Sequence, residues 1–286
     1  MPELPEVETI KNGLGRRIVS KTIQNIEILN EKSFIGSKKS VVDQQVIGVN
    51  RRAKVLQIEL KNQESLLFHL KMTGQLIYLD HNTRLAGGHP SHDWHAVLPN
   101  KHTRIIYTFN DQSKLYFNDL RKFGWCKVLN ENDIASEFRK YGPEPFSSSF
   151  NAKYLFDKAS GRTSITVKQF LMDQSVVAGI GNIYNDETLF LSWVNPKVKA
   201  NKVTLKEWQL IVTNAQKVLK NGIKHGGTTD SDYVDAEGKA GGMQDYLNVY
   251  HRTGQKCPND CGNIIKRTKI GGRGTYFCPK CQKEVK

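Results

Sequence analysis

In the first half of the chain, apolar residues recur at a period of two. The stretches "TIQNIEIL" (22–29), "KVLQIELK" (54–61), "SLLFHLKM" (65–72), "TRIIYTFN" (103–110) and "KLYFNDL" (114–120) are short and rich in β-branched and aromatic residues. Such runs predict strands, and their spacing predicts an antiparallel sandwich. One helix precedes them. Pro5 suits a first helical turn, and Val7, Ile10 and Leu14 follow at helical spacing. The period changes after "RKYGPEPFSSSF" (139–150), which has the Gly, Pro and Ser content of a linker. Beyond it, 164–174, 175–193 and 204–227 read as helices. Thr204 and Glu207 form a capping box, and Gly226-Gly227 suits a helix end. Residues 228–248 have no periodicity and read as a loop. The whole is an α+β, multidomain pattern. It divides as 1–138, a linker 139–150, a helical part 151–248 and a terminal part 249–286.

Charge narrows the function. Lys and Arg number 42 against 28 acids, a net charge of +14, which suits a polyanionic partner such as nucleic acid. Residues 251–286 hold nine Lys/Arg and two acids, so half of the excess sits at one end. No apolar run reaches the length of a membrane span. No basic-then-apolar leader opens the chain. The expectation is a soluble intracellular protein with no membrane partner. His89, His92 and His95 fall in a loop-like stretch without a compact ligand pattern and are read as surface residues. Cys126, in the apolar "FGWCKV", is read as a buried small hydrophobe.

The other four cysteines form two pairs, Cys257/Cys261 and Cys278/Cys281, separated by sixteen residues. That pattern predicts one tetrahedral Zn²⁺ site with a β-hairpin between the pairs. So short a segment buries little core, so the metal would supply folding energy. The first pair is spaced C-x₃-C rather than the commoner C-x₂-C. Lys266, Arg267, Lys269 and Arg273 are expected at the hairpin tip, where a cationic ribbon can enter a DNA groove. A ribbon of this kind serves protein contacts equally well.

"MDQSVVAGIGNIYNDE" (172–187) reads as a helix, a glycine turn and a second helix. Gly179 and Gly181 permit the turn, and Asn182 opens the second helix. Such a helix start is suited to a phosphate, and Lys168 is placed to reach the same one.

In order along the chain, "MPELPEVE", "RRAKVLQIEL", "HLKMTGQL", "NDLRKFG", "GPEP", "LMDQSVVAGIGNIYNDE", "VYHRTGQ" and the cysteine ribbon resemble the bacterial formamidopyrimidine-DNA glycosylases of the Fpg/Nei superfamily. The resemblance covers essentially the whole chain, and "PELPEVE" is similar to the Fpg branch. It implies an N-terminal β-sandwich, a helix–two-turn–helix domain whose loop 228–248 caps the lesion, and a zinc finger, with DNA in the cleft between the halves. It implies a monomeric DNA repair enzyme of the bacterial cytoplasm and nucleoid. That enzyme removes 8-oxoguanine and formamidopyrimidines from double-stranded DNA and breaks the strand by β,δ-elimination.

The resemblance also assigns roles. Removal of Met1 would free the secondary amine of Pro2, whose attack on C1′ of the deoxyribose gives an imine; free α-amino groups titrate near pH 8. Glu3 would protonate O4′ and then act as a base, with Glu6 in support. Lys54 would contact the phosphate beside the lesion, and Arg273 would assist δ-elimination. Met72, Arg121 and Phe123 would fill the gap left by the flipped base, with Arg121 on its orphaned partner. His102, Arg162, Lys168, Asn182 and Tyr250 would contact phosphate or DNA. Ser231, where many relatives carry a basic residue, leaves the base preference open. Two other readings stand beside this one: a Nei-type glycosylase for oxidised pyrimidines, and a non-catalytic zinc-ribbon DNA-binding protein.

Overall fold

The computed structural model describes residues 1–88, 96–228 and 242–283. His89, His92, His95, Ser231 and most of the 228–248 loop therefore lie outside the described residues. Backbone contacts divide the chain into two units, 1–139 with 222–244, and 140–221 with 245–286.

The first unit begins with helix α1 (Leu4–Ile18), where Pro5 occupies the first turn as its missing N–H allows. Ten strands follow: β1 (Thr22–Ile28), β2 (Phe34–Ile35), β3 (Gln44–Arg52), β4 (Val55–Leu60), β5 (Glu64–His69), β6 (Gly74–Leu79), β7 (Arg84–Gly88), β8 (Thr103–Phe109), β9 (Lys114–Asp119) and β10 (Trp125–Asn130). Their order is β2-β10-β5-β4-β3-β1-β8-β9-β6-β7. The β1–β3 junction is only two residue pairs long, Thr22 with Gln45 and Ile23 with Gln44. It divides the order into two five-stranded halves. Both halves feed one core, in which Phe68 of β5 meets Tyr107 of β8 and Phe117 of β9 edge-on at 5.9 and 5.7 Å. This is the expected sandwich. α1 packs against β3, β4 and β7, and its Val7, Ile10 and Leu14 join the core. Cys126 is fully buried; the Tyr107 hydroxyl donates to its Sγ at 3.1 Å, and burial pushes the thiol up to about 12. Helix α2 (Glu131–Phe138) lies against β10.

The second unit contains α3 (Ala152–Ala159), α4 (Val167–Met172), α5 (Asn182–Leu191), the body of α6 (Leu205–Lys224), and a hairpin of β11 (Lys266–Ile270) and β12 (Arg273–Phe277). The capping box that opens α6 is present: Glu207 Oε2 accepts from Thr204 N at 2.7 Å. Between α4 and α5 the chain makes two turns held by Gln174. Its Oε1 accepts from Gly179 N and its Nε2 donates to the Ile180 carbonyl. Gly179 has φ 98°, the left-handed region glycine favours. Gly181, at φ −127°, does not need that freedom. Residues 140–150 pack on these turns, with Gly142 N donating to Gln174 O and Ala178 N to Pro143 O. Among the described residues no helix is long and apolar enough to cross a membrane.

Candidate active site and nucleic-acid interface

Pro2 is buried just ahead of α1, and Glu3, 2% exposed, is the N-cap of that helix. Glu6 braces this end from two sides. Its Oε2 accepts from Glu3 N at 2.8 Å, and its Oε1 accepts from Thr228 N at 2.8 Å and Thr228 Oγ1 at 3.2 Å. Neighbouring Gly227 has φ 86°, and a Cβ there would lie 2.8 Å from Glu6 Oε1. An N-terminus held this firmly presents any group attached to it in a fixed geometry.

Lys54 sits in the two-residue turn joining β3 to β4, where Ala53 takes φ 57°. Lys54 is 4% exposed, so it is not a solvated surface cation. Arg51 donates through Nη1 to the Ala53 carbonyl and through Nε to Glu8 Oε2 at 2.7 Å. The latter bond ties α1 to the hairpin that carries Lys54. Burial would raise the Glu8 carboxyl, but its bonds to Lys11 and Arg51 prevail and hold it below its ordinary value.

Met72 lies in the β5–β6 turn, and Arg121 and Phe123 lie in the β9–β10 turn. Asp119, at the end of β9 and 0% exposed, joins the two turns. Its Oδ1 accepts from the Thr73 hydroxyl and from Arg121 N, and its Oδ2 accepts from Gly124 N at 2.7 Å. Thr73 Oγ1 in turn accepts from Arg121 N at 3.0 Å. The Arg121 guanidinium stands 4.8 Å from the Phe123 ring centroid, and Phe123 is 54% exposed. An exposed aromatic beside a cation on a pinned turn is suited to enter a base stack. His102 is half-buried on the adjoining turn, and its carbonyl accepts from Asp119 N.

In the second unit Asn182 is the first residue of α5, as expected, and its Nδ2 donates to the Gly274 carbonyl at 3.0 Å. Lys168, expected to reach a phosphate, is placed next to Asn182 on the same carbonyl. Lys168 is fully buried, its Nζ 2.6 Å from Asp186 Oδ1 and 3.3 Å from the same Gly274 carbonyl. Arg162 is exposed in the turn after α3. Glu187 is fully buried and accepts from the backbone N of Asn248, Val249 and Tyr250 and from Asn248 Nδ2. It thereby fixes Tyr250, whose ring stacks on His251 at 4.4 Å and meets Tyr276 edge-on at 4.9 Å.

Gly271 and Gly272, at φ 54° and 79°, form the hairpin tip. Two left-handed residues match the twist of a two-residue hairpin. Arg273 follows directly, exposed. Lys266, Arg267 and Lys269 lie along β11 rather than at the tip. At the other end of the ribbon, the Sγ atoms of Cys257, Cys261, Cys278 and Cys281 lie within 4.8 Å of one another. The 257–281 and 261–278 pairs are 3.7 and 3.5 Å apart. A tetrahedron with Zn–S of ~2.3 Å has an edge of about 3.8 Å, so the four thiolates fit one structural Zn²⁺. The C-x₃-C turn closes because Asp260 takes φ 48° and Cys257 N bonds to the Asn263 carbonyl. No other group of three or more His, Cys, Asp or Glu among the described residues could hold a metal.

Thr73, Asp119, Asp186 and Glu187 are the positioning residues the sequence did not disclose. The one sequence signal of the three acids is their place directly beside a cationic or helix-opening motif, in "NDLRKFG" and "NIYNDE".

Known proteins carry the same order of parts. Residues 1–126 match the model of the formamidopyrimidine-DNA glycosylase N-terminal domain, 141–233 that of its H2TH domain, and 254–283 that of the zinc finger found in FPG and IleRS. The formamidopyrimidine-DNA glycosylase of Pelotomaculum thermopropionicum is 36% identical over 99% of both chains. That of Vibrio cholerae is 37% identical over 99% of this chain and all of its own. Two solved structures of Lactococcus lactis Fpg, a G226P mutant with Fapy-dG-containing DNA and a complex with abasic-site DNA, each align with a TM-score of 0.87. Each is 33% identical, over 99% of this chain and all of theirs. Matching in fold, metal site and full-length sequence, the chain belongs to the formamidopyrimidine-DNA glycosylase family.

Proposed function

We propose that this protein is a base-excision repair enzyme, a DNA glycosylase and AP lyase that removes oxidised purines from duplex DNA and works through an imine on Pro2. The reading is carried by one observation: Pro2 is followed by a buried Glu3 whose backbone and helix end are fixed by Glu6. After Met1 is removed, the Pro2 nitrogen attacks C1′ of the deoxyribose and the bond electrons leave with the base. Glu3 donates a proton to O4′ as the sugar ring opens. The resulting iminium stays cationic without a proton and acidifies C2′–H. Loss of that proton expels the 3′ phosphate, and a second elimination expels the 5′ phosphate.

The other residues divide by unit. In the first, Lys54 holds the phosphate beside the lesion, His102 contacts the backbone, and Met72, Arg121 and Phe123 occupy the emptied stack. In the second, Asn182, Tyr250 and Arg162 hold DNA phosphates, and Arg273 assists δ-elimination. Lys168 acts indirectly, through the Gly274 carbonyl beside Arg273. Domain limits of 1–138, 151–248 and 249–286, with 139–150 between the first two, are the functional division proposed, within which backbone contacts group 222–244 with the first unit; a bacterial cytoplasm is the fitting compartment.

Borohydride reduction during turnover tests the reading. The Met-processed protein should become covalently linked to an abasic duplex, and Pro2→Gly together with Lys54→Ala should abolish the adduct. Absence of an adduct with the processed wild type, or full trapping by the double variant, would sink it. Faster release of 8-oxoguanine opposite C than of thymine glycol is expected; the reverse order points to an oxidised-pyrimidine enzyme instead.

A further inference from the structure

A groove of about 490 Å³ opens beside the Arg121–Phe123 turn, lined by Leu29, Asn30, Glu31, Lys32, Arg104 and Lys122. Its two walls hang from one buried residue. Arg104, 7% exposed, accepts Leu29 N and Asn30 N on its carbonyl and donates through Nε to the Asp119 carbonyl at 2.8 Å. Asn30 Oδ1 accepts from Lys32 N and so shapes the turn that carries Lys32. On the opposite wall Lys122 sits at φ 58°, a strained value for lysine, inside the turn that Asp119 pins through Arg121 N and Gly124 N. Lys32 and Lys122 are both exposed, and the buried Arg104 lines the groove with them. Glu31 is the single acid of the lining, so three cations and one acid leave a net charge of +2.

We infer that this groove is a phosphate site for the undamaged DNA strand, in which Lys32 and Lys122 grip the backbone opposite the lesion. The inference rests on the reading above, in which Arg121 and Phe123 enter the stack and Arg121 faces the orphaned base. Lys122 stands between those two residues, so its side chain meets the strand to which that base belongs. The buried Arg104–Asp119 frame makes the site preformed, so binding does not require its two lysines to be brought together.

The test is binding to a duplex carrying a tetrahydrofuran abasic analogue, measured against salt concentration. Each phosphate contact adds about 0.9 to the slope of log K against log salt, so Lys32→Ala with Lys122→Ala should lower the slope by about 2. Lysine-to-arginine changes at both positions should restore it. In a second arm, neutral methylphosphonates replace single linkages. Neutral linkages opposite the lesion in the undamaged strand should weaken the wild type and leave the double variant unaffected. An unchanged slope overturns the inference. So does a methylphosphonate effect shared equally by wild type and variant, or one confined to the damaged strand. A wild type that binds and traps normally while the variant keeps its slope overturns this inference alone. A wild type that neither binds nor traps removes the functional reading along with it.

Discussion

Lys168 Nζ lies 2.6 Å from Asp186 Oδ1, with both side chains almost completely shielded from water. Burial pushes the Asp186 carboxyl up to about 7, opposed by Lys168 and by the Tyr276 N–H. The pair docks β12 on α4 and α5, because Lys168 also reaches the Gly274 carbonyl. Lys168→Ala strands a buried carboxyl and should cost about 3–5 kcal/mol, read as a fall in Tm. It should also lower the ratio of δ- to β-elimination product, because Arg273 adjoins Gly274. Lys168→Met with Asp186→Leu should recover much of the Tm without restoring that ratio. Recovery of both would show that the pair does not position Arg273.

Asp119 ties the turn of Met72 to the turn of Arg121 and Phe123. In Asp119→Asn one oxygen becomes an NH₂ facing an N–H donor, a mismatch worth about 1–3 kcal/mol. The expected result is weaker discrimination between C and A opposite 8-oxoguanine, measured by single-turnover excision. Thr73→Val should act in the same direction, and Thr73→Ser should leave selectivity near wild type. Unaltered selectivity in Asp119→Asn would mean that the two turns keep their geometry without the carboxylate.

Gly227→Ala places a methyl 2.8 Å from Glu6 Oε1 at a φ of 86°, which non-glycine residues rarely adopt. The backbone strain alone is about 1–3 kcal/mol. The displaced carboxylate is the one that holds Glu3 N, so borohydride trapping should slow. Gly226→Ala, at a similar φ of 73°, serves as the comparison for backbone strain. Equal slowing in both variants would point to strain alone rather than to the Glu6 contact.

Lys21 donates to Asp111, Ser113 and the Tyr78 hydroxyl. Burial opposes the charged Asp111, but its bonds to Lys21 and Ser113 prevail and hold the carboxyl at about 2, below its ordinary 3.8. The unfolded chain then binds the proton more readily, so the contribution is complete above the ordinary value and lost as pH falls towards 2. Lys21 shifts the other way: burial opposes its charge, but the same partners raise it, so its contribution holds below its ordinary 10.5 and fades above. A plot of Tm against pH should lose steepness at both ends in Asp111→Asn. Parallel curves for variant and wild type would exclude the pair as a source of pH sensitivity.

The sandwich was legible because its strands alternate cleanly, and α1 because Val7, Ile10 and Leu14 keep helical spacing. The cysteine site was legible because ligand spacing is local. Arg121 and Phe123 could be placed through a motif, but the Asp119 clamp could not, since Thr73 lies 46 residues away along the chain. Lys168 shows the limit most clearly. The motif offered Lys168 as a phosphate ligand but not its partner, because only the three-dimensional arrangement sets Asp186, 18 residues on, against its ammonium. Sequence pattern reports period and local spacing; long-range pairing of buried charges leaves no mark in either.

Removing the metal tests how much of the second unit depends on four thiolates. Three of the four cysteines are buried, and they share a cluster with Phe190, Val249, Ile265 and Tyr276. Without a cation the deprotonated thiolates would repel one another at 3.5–3.7 Å, and the neutral thiols would lose the metal bonds that close the ribbon. One Zn²⁺ per chain is expected by elemental analysis. Chelation should lower the Tm and release the ribbon, seen as protease cleavage within 256–283, with duplex binding lost in parallel. Tyr250 stacks within this cluster, so the DNA contact proposed for it should be lost together with that proposed for Arg273, and Cys278→Ser should reproduce both losses without chelator. A chelated protein that binds duplex with unchanged affinity would show that the ribbon folds on its apolar contacts and hydrogen bonds alone.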